Sequence, residues 1–206
     1  MKTPKIKLPP KLEPFKGVIL FVVVLMLSNF LWKYNVLGDE DHTKDSKVML
    51  WGMDISSPFV YMAHHVSSVC YSILHSLNSS VSLNRITNLF TYPNKNCVQI
   101  IWACTGLKQT YICFCIFLFS IGPWKKKIWY IPLALLVMYV FNIFRIAFIV
   151  ACIENHPDWF NILHLYIFKY TFYGLIFLMW VYWEEKMNVK KPVQSSVNAK
   201  SESSGS

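Results

Sequence analysis

Cys104, Arg145 and His164 are a thiol, a guanidinium and an imidazole, each set in or at the edge of a long apolar run. An ionisable side chain inside a membrane span is costly, so such a residue is a functional-site hypothesis by default. Together the three would supply a nucleophile, an anion stabiliser and a proton carrier.

Each residue has its own setting. Ala103-Cys104-Thr105-Gly106 stands where an extended segment turns into a helix. A thiol at a helix N-terminus faces the positive end of the macrodipole and unpaired N–H groups, which favour thiolate. Gly106 would let a backbone or a substrate strand approach closely. The competing reading is an inert packing cysteine beside a turn glycine. Arg145 sits among Phe, Ile and Ala with no acid nearby in its run, so it needs an anionic or carbonyl partner. Asn142, three residues back on the same helical face, is placed to orient it. Arg145 stays protonated, so it is a donor to a developing oxyanion and not a base; otherwise it snorkels to headgroups. His164 opens the last apolar run and can cycle protons near neutral pH. A single His at an interface is more often structural. His156, its competitor, lies in a loop before Pro157, and His64, His65 and His75 have no spacing that specifies a metal.

The elements that must position these groups are membrane helices. The chain is 54% hydrophobic and 17% aromatic, with only 15% charged residues. Residues 15–37, 98–122, 128–153 and 162–183 approach or exceed the ~20 apolar residues that cross a bilayer core. The expectation is an all-α polytopic membrane protein, a bundle of about four to six membrane helices. The first run ends in Phe30-Leu31-Trp32-Lys33-Tyr34, residues suited to an interface, and reads as a retained span rather than a cleaved signal. The chain divides into a basic N-terminus (1–14), a membrane-embedded domain (15–185) and a Ser-, Asn- and Lys-rich tail (186–206) expected to be disordered.

Charge sets the orientation. The formal charge of +9 comes from lysines in short patches beside the spans, an orientation signal and not a nucleic-acid footprint. Lys2, Lys5, Lys7, Lys11 and Lys16, the cluster Lys125-Lys126-Lys127, and Lys186, Lys190 and Lys191 belong on the cytoplasmic side. Asp39, Glu40, Asp41 and Asp45 belong outside. These assignments bring Cys104, Arg145 and His164 to one extracytoplasmic boundary. Residues 57–77 could upset this by spanning. Their apolar positions Phe59, Met62, Val66, Val69, Ile73 and Leu77 mark one helical face, so an amphipathic helix lying at the interface or dipping into it is preferred. Residues 81–102 read as a small extracytoplasmic hairpin. The six cysteines contain no CxxC pair, and a Cys97–Cys104 disulfide is the minor reading.

Cys104-Thr105-Gly106 at the start of one span, Asn142-Ile143-Phe144-Arg145 late in the next and His164 at the start of the last resemble the exosortase/archaeosortase family. The match runs over roughly residues 96–183, with the motifs in family order. Thr105 stands where Ser is more usual, no Asp follows His164, and the larger members often have more spans. The resemblance implies an integral-membrane cysteine peptidase or transpeptidase without cofactor or metal. Its implied catalytic residues are Cys104, Arg145 and His164, supported by Thr105, Gly106 and Asn142. It further implies exported protein substrates carrying a C-terminal motif, a transmembrane helix and a basic tail. A thioester on Cys104 would then be resolved by an amine or by water. Two rivals stay open at this point: a non-catalytic membrane scaffold, and a metal- or haem-binding membrane protein using its histidines.

Overall fold

The computed structural model describes residues 15–38, 48–77 and 79–187. The basic N-terminus, the acids Asp39, Glu40, Asp41 and Asp45, and the tail beyond Met187 lie outside the described residues. Helix α1 (Lys16–Asn35) leads into strand β1 (Val36–Gly38), then β2 (Val48–Leu50), β3 (Met53–Asp54) and helix α2 (Ser56–Ser76). Strands β4 (Ser82–Asn84), β5 (Leu89–Thr91) and β6 (Cys97–Gln99) come next. A 3-10 turn (Trp102–Thr105), α3 (Leu107–Phe119), α4 (Trp124–Ile153) and α5 (Trp159–Met187) complete the chain.

The protein is a helical membrane protein. Among the described residues α1, α4 and α5 are long and apolar enough to cross a bilayer. The sequence reading of 98–122 as a fourth continuous span is corrected: α3 has 13 residues. It is therefore about 20 Å long, against an apolar core of about 30 Å. Gly106 accounts for the shortfall, because its φ of +74° takes the chain off the helical path before α3 begins.

Lipid tails are as apolar as leucine, so helices in a membrane associate through close packing and polar contacts. The buried stripes follow from helical periodicity. On α1 they are Phe21, Val24 and Ser28, while Val22, Val23, Met26 and Leu27 face outward. On α5 they are Phe168, Phe172, Ile176, Trp180 and Trp183. Phe21 meets Trp180 with ring centroids 4.9 Å apart, and Phe141 meets Phe172 at 4.8 Å.

Helix α2 packs on the C-terminal half of α4: His65 Nε2 bonds the Tyr139 hydroxyl at 2.9 Å, and Val66 and Cys70 join Ile143, Ile146 and Val150. Its buried stripe is Phe59, Ala63, Val66, Ser67, Cys70 and Leu74. The stripe expected from apolar spacing is thus turned by about one residue, leaving Ile73 and Leu77 exposed. Ala63, Ser67 and Cys70 are small and buried, and Cys70 Sγ reaches the Ile143 carbonyl of α4 at 3.7 Å, so close packing shapes the inward face.

The hairpin expected in 81–102 is a three-stranded antiparallel sheet of order β4-β5-β6, with Phe90 opposite Val98. It is pinned to the C-terminal end of α4. Tyr92 Oη donates to the Val150 carbonyl at 3.1 Å, and Asn96 Nδ2 donates to that of Ile153 at 3.0 Å. These donors occupy carbonyls that a helix end leaves unpaired. A second small sheet, β1-β2-β3, was not anticipated.

At the opposite end of α4, buried Lys127 donates from Nζ to the carbonyls of Leu118 (2.8 Å) and Ser120 (2.6 Å), closing the α3–α4 corner. Trp183 Nε1 bonds the Ile121 carbonyl at 2.9 Å, tying α5 to the same corner. Lys127→Met would keep the apolar stem and strip both carbonyls of their donor. It should cost about 1–3 kcal/mol, read as a lower midpoint in thermal unfolding of the detergent-solubilised protein. An unchanged midpoint would mean that the ammonium does not hold the corner.

Candidate active site

The three residues singled out in the sequence line one cavity of about 20 Å³, together with Val98, Gln99, Ile100, Ile146, Ile149, Val150 and Phe160. Each arrives on a different element: Cys104 on the 3-10 turn, Arg145 on the buried face of α4, His164 near the start of α5. A space of this size admits roughly one water-sized group.

Arg145 Nη2 lies 3.2 Å from His164 Nδ1. A guanidinium has no acceptor, so Arg145 donates and Nδ1 accepts, which makes this imidazole neutral with its proton on Nε2. The guanidinium also sits over the Phe172 ring at 5.5 Å and is close enough to Cys104 to interact with it electrostatically. Arg145 is only 5% exposed and is packed inside the bundle, which disposes of the snorkelling alternative. Its Nε has no hydrogen-bond partner and no carboxylate pairs with it among the described residues. His164 stacks on Phe160 with centroids 5.2 Å apart, one helical turn earlier. It lies in a π-helical stretch, Ile162–Ile167, and widened turns of this kind recur at functional sites.

Cys104 stands ahead of α3 and not in its first turn, because Gly106 interrupts the helical path. The macrodipole argument made from the sequence therefore loses its geometry, and the nearby charge is that of Arg145. The Cys104 N–H donates to the Ile101 carbonyl at 3.0 Å, which fixes the turn. Cys97 and Cys104 are not bonded to each other; among the described residues there is no disulfide.

The supporting residues fall differently from the trio. Thr105 is buried and its hydroxyl donates to the Trp102 carbonyl at 2.6 Å, so it braces the turn and does not line the cavity. Asn142 is 2% exposed, and neither atom of its amide finds a hydrogen-bond partner among the described residues. It does not bond Arg145; it packs against Gly106, where an added Cβ would stand 2.9 Å from Asn142 Cγ. The close approach read into Gly106 is thus made by a side chain of α4.

Sequence reasoning missed the β6 wall, the Phe160 shelf and the Phe172 ring. Phe160 was readable, since it precedes His164 by one helical turn. His156 and His75 are engaged elsewhere. His156 stacks on Trp159 at 4.8 Å, and His75 stacks on Tyr71 at 5.9 Å. Among the described residues no three His, Cys, Asp or Glu side chains gather as a metal site.

Gly106→Ala should destabilise the site twice over. Left-handed backbone costs a non-glycine residue about 1–2 kcal/mol, and the new methyl meets Asn142. Adding Asn142→Ala should recover the steric share and not the backbone share, as a partial return of the thermal midpoint. Full recovery, or no loss in the single variant, would remove Gly106 as the pivot of the Cys104 turn.

A family model described as transmembrane exosortase matches residues 48–182, which include every residue that lines the cavity. No curated protein and no solved structure matches the chain.

Proposed function

The chain belongs to the transmembrane exosortase family, and on that premise we propose that it is a membrane-embedded cysteine transpeptidase or protease. Cys104 is the nucleophile, Arg145 the oxyanion donor and His164 the proton carrier. The observation that carries this reading is the buried Arg145 cation, which shares a cavity with a thiol and an imidazole and has no carboxylate paired with it among the described residues. A buried charge is expensive unless something answers it. The developing oxyanion of an attacked carbonyl answers it only while the chemistry proceeds.

The resting hydrogen bond orders the steps. While Arg145 donates to Nδ1, that nitrogen cannot accept a proton. A substrate carbonyl draws the guanidinium away, and Nδ1 then takes the Cys104 proton. Sulfur bonds the carbonyl carbon, and the oxyanion rests against Arg145. The C–N bond breaks as the imidazolium gives its proton to the leaving nitrogen, leaving a thioester. An amine or water attacks that thioester with His164 as base, sulfur departs, and the thiol is restored.

Lys125 and Lys126 at one end of α4, with Lys186 after the apolar stretch of α5, support a cytoplasmic placement for that end. The site near the C-terminal end of α4 then faces the extracytoplasmic side of the cell membrane. Suitable substrates are exported proteins held by a C-terminal motif, a transmembrane helix and a basic tail. Such chains can present the scissile peptide laterally at this depth.

Processing of a membrane-anchored exported precursor tests the reading. Cys104→Ala should lower release by about 10³-fold or more and leave full-length precursor in the membrane. Arg145→Lys should lower it by about 10²–10³-fold, because an ammonium cannot reproduce the planar fork. Normal release in the Cys104 variant would end the nucleophile claim and favour the scaffold.

A further inference from the structure

Beside the catalytic cavity lies a larger groove of about 390 Å³, walled by Lys95, Asn96, Cys97, Val98, Gln99, Ile153, Pro157 and Phe160. The two spaces share Val98, Gln99 and Phe160, so the groove opens directly beside Cys104, Arg145 and His164. Its volume falls within the roughly 300–1,000 Å³ of ligand clefts.

One wall of that groove is a sheet edge. Among the described residues strand β6 pairs only with β5. Its hydrogen bonds to that partner run through alternate residues: the Tyr92 N–H donates to Asn96 O at 2.9 Å, and the Ile100 N–H donates to Asn88 O at 3.0 Å. Antiparallel ladders alternate bonded and non-bonded pairs. Asn96, Val98 and Ile100 are therefore the bonded residues. Cys97, opposite Thr91, and Gln99, opposite Leu89, turn their N–H and C=O groups to the open side. Strand β4, at the other edge of the sheet, borders neither space.

We propose that the substrate chain docks along β6 as a fourth strand, its backbone bonded to Cys97 and Gln99, and is led by that register to Cys104. This deepens the functional reading above and rests on it for the identity of the occupant. Direction follows from order along α4. The groove reaches Ile153 at the helix end, and the catalytic cavity lies deeper, at Ile149, Ile146 and Arg145. A chain whose C-terminal side is anchored in the bilayer must run from Lys95 and Asn96 inward, parallel to β6. Backbone pairing supplies affinity that is tolerant of sequence, and selectivity is left to the alternate side chains facing the groove walls.

Cys97 is exposed on this edge and serves as a native trap. The probe is a single-span reporter: a soluble domain, a short segment of alternating Thr and Val, an apolar helix and a lysine tail. Single cysteines are walked through the short segment. Each reporter is reconstituted in vesicles with the full chain carrying Cys104→Ala, and disulfides to Cys97 are counted after mild oxidation. Cross-links should form at every second position, about tenfold above the intervening ones, and disappear with Cys97→Ser.

Gln99→Pro deletes an outward N–H without touching the ladder to β5, a placement that edge strands accept. It should lower all yields by about tenfold, roughly the worth of one hydrogen bond. Gln99→Leu, which keeps that N–H and loses the side-chain bond to Thr87 O, should lower them by less than Gln99→Pro does. A three- or four-residue period, uniform labelling, no labelling, or equal failure of both Gln99 variants would overturn strand docking. Release of the same reporter by the unaltered chain is scored in parallel. Docking without release sinks the peptidase reading alone, and release without the alternation sinks the docking alone.

Discussion

One buried cation organises this molecule. Arg145 is sealed inside the bundle with a neutral imidazole, an aromatic face and a thiol for company. A guanidinium cannot shed its proton to escape burial as a lysine or histidine can. Its surroundings must therefore be kept in place by something other than the charge. The rest of the fold supplies that restraint from both ends of α4. Lys127 and Trp183 tie the α3–α4 corner and α5 together at one end. Tyr92 and Asn96 fasten the β4–β6 sheet to carbonyls at the other.

The tie at the C-terminal end of α4 sets where the thiol stands. Cys104 belongs to no long helix. It hangs on a single 3-10 turn between β6 and α3, so its position is inherited from whatever fixes those two elements. The sheet is fixed by its bonds to α4, and α3 by the contact of Gly106 with Asn142. Both anchors therefore lie on the helix that carries Arg145. Thiol and guanidinium are registered against one rigid element, and His164 is added from α5 by a π-helical stretch and stacks on Phe160 just before it.

This arrangement explains what was legible in the sequence. Helices α1, α4 and α5 announce themselves because apolar length is a local property that hydropathy reads directly. The convergence of Cys104, Arg145 and His164 was legible for a related reason: charge bias orients each span, and orientation alone puts three distant residues at one level. What escaped depends on partners far away in the chain. The β1–β3 sheet consists of strands of two or three residues, too short for any periodicity to register. The buried stripe of α2 was misread by a residue because Ala63, Ser67 and Cys70 were scored as weakly apolar when closeness to α4 mattered more. Thr105 was named as a supporting residue, and its hydroxyl is spent on the turn that holds its neighbour, a contact that no local spacing announces. The early end of α3 was signalled by Gly106, whose conformational freedom was noticed while its consequence for the helix start was not.

Under the proposed function, the contrast between a cavity of about 20 Å³ and the groove of about 390 Å³ beside it bears on how idle chemistry is avoided. A reactive cysteine near a membrane surface meets water and small thiols constantly. With Arg145 donating to Nδ1, His164 has no vacant base and the cation has no anion to stabilise, so two of the three roles proposed for these residues are suspended at rest. Water could enter a cavity of about 20 Å³, yet water offers no carbonyl to pull the guanidinium off the imidazole. A peptide docked as proposed would, because it would bring a carbonyl oxygen to a cation answered among the described residues by neutral groups. Exchange of one acceptor for another, imidazole nitrogen for carbonyl oxygen, then releases the base and places the oxyanion donor in a single movement. The same Arg145–His164 contact that makes burial of the charge tolerable at rest thus makes the site responsive to the one ligand able to replace it.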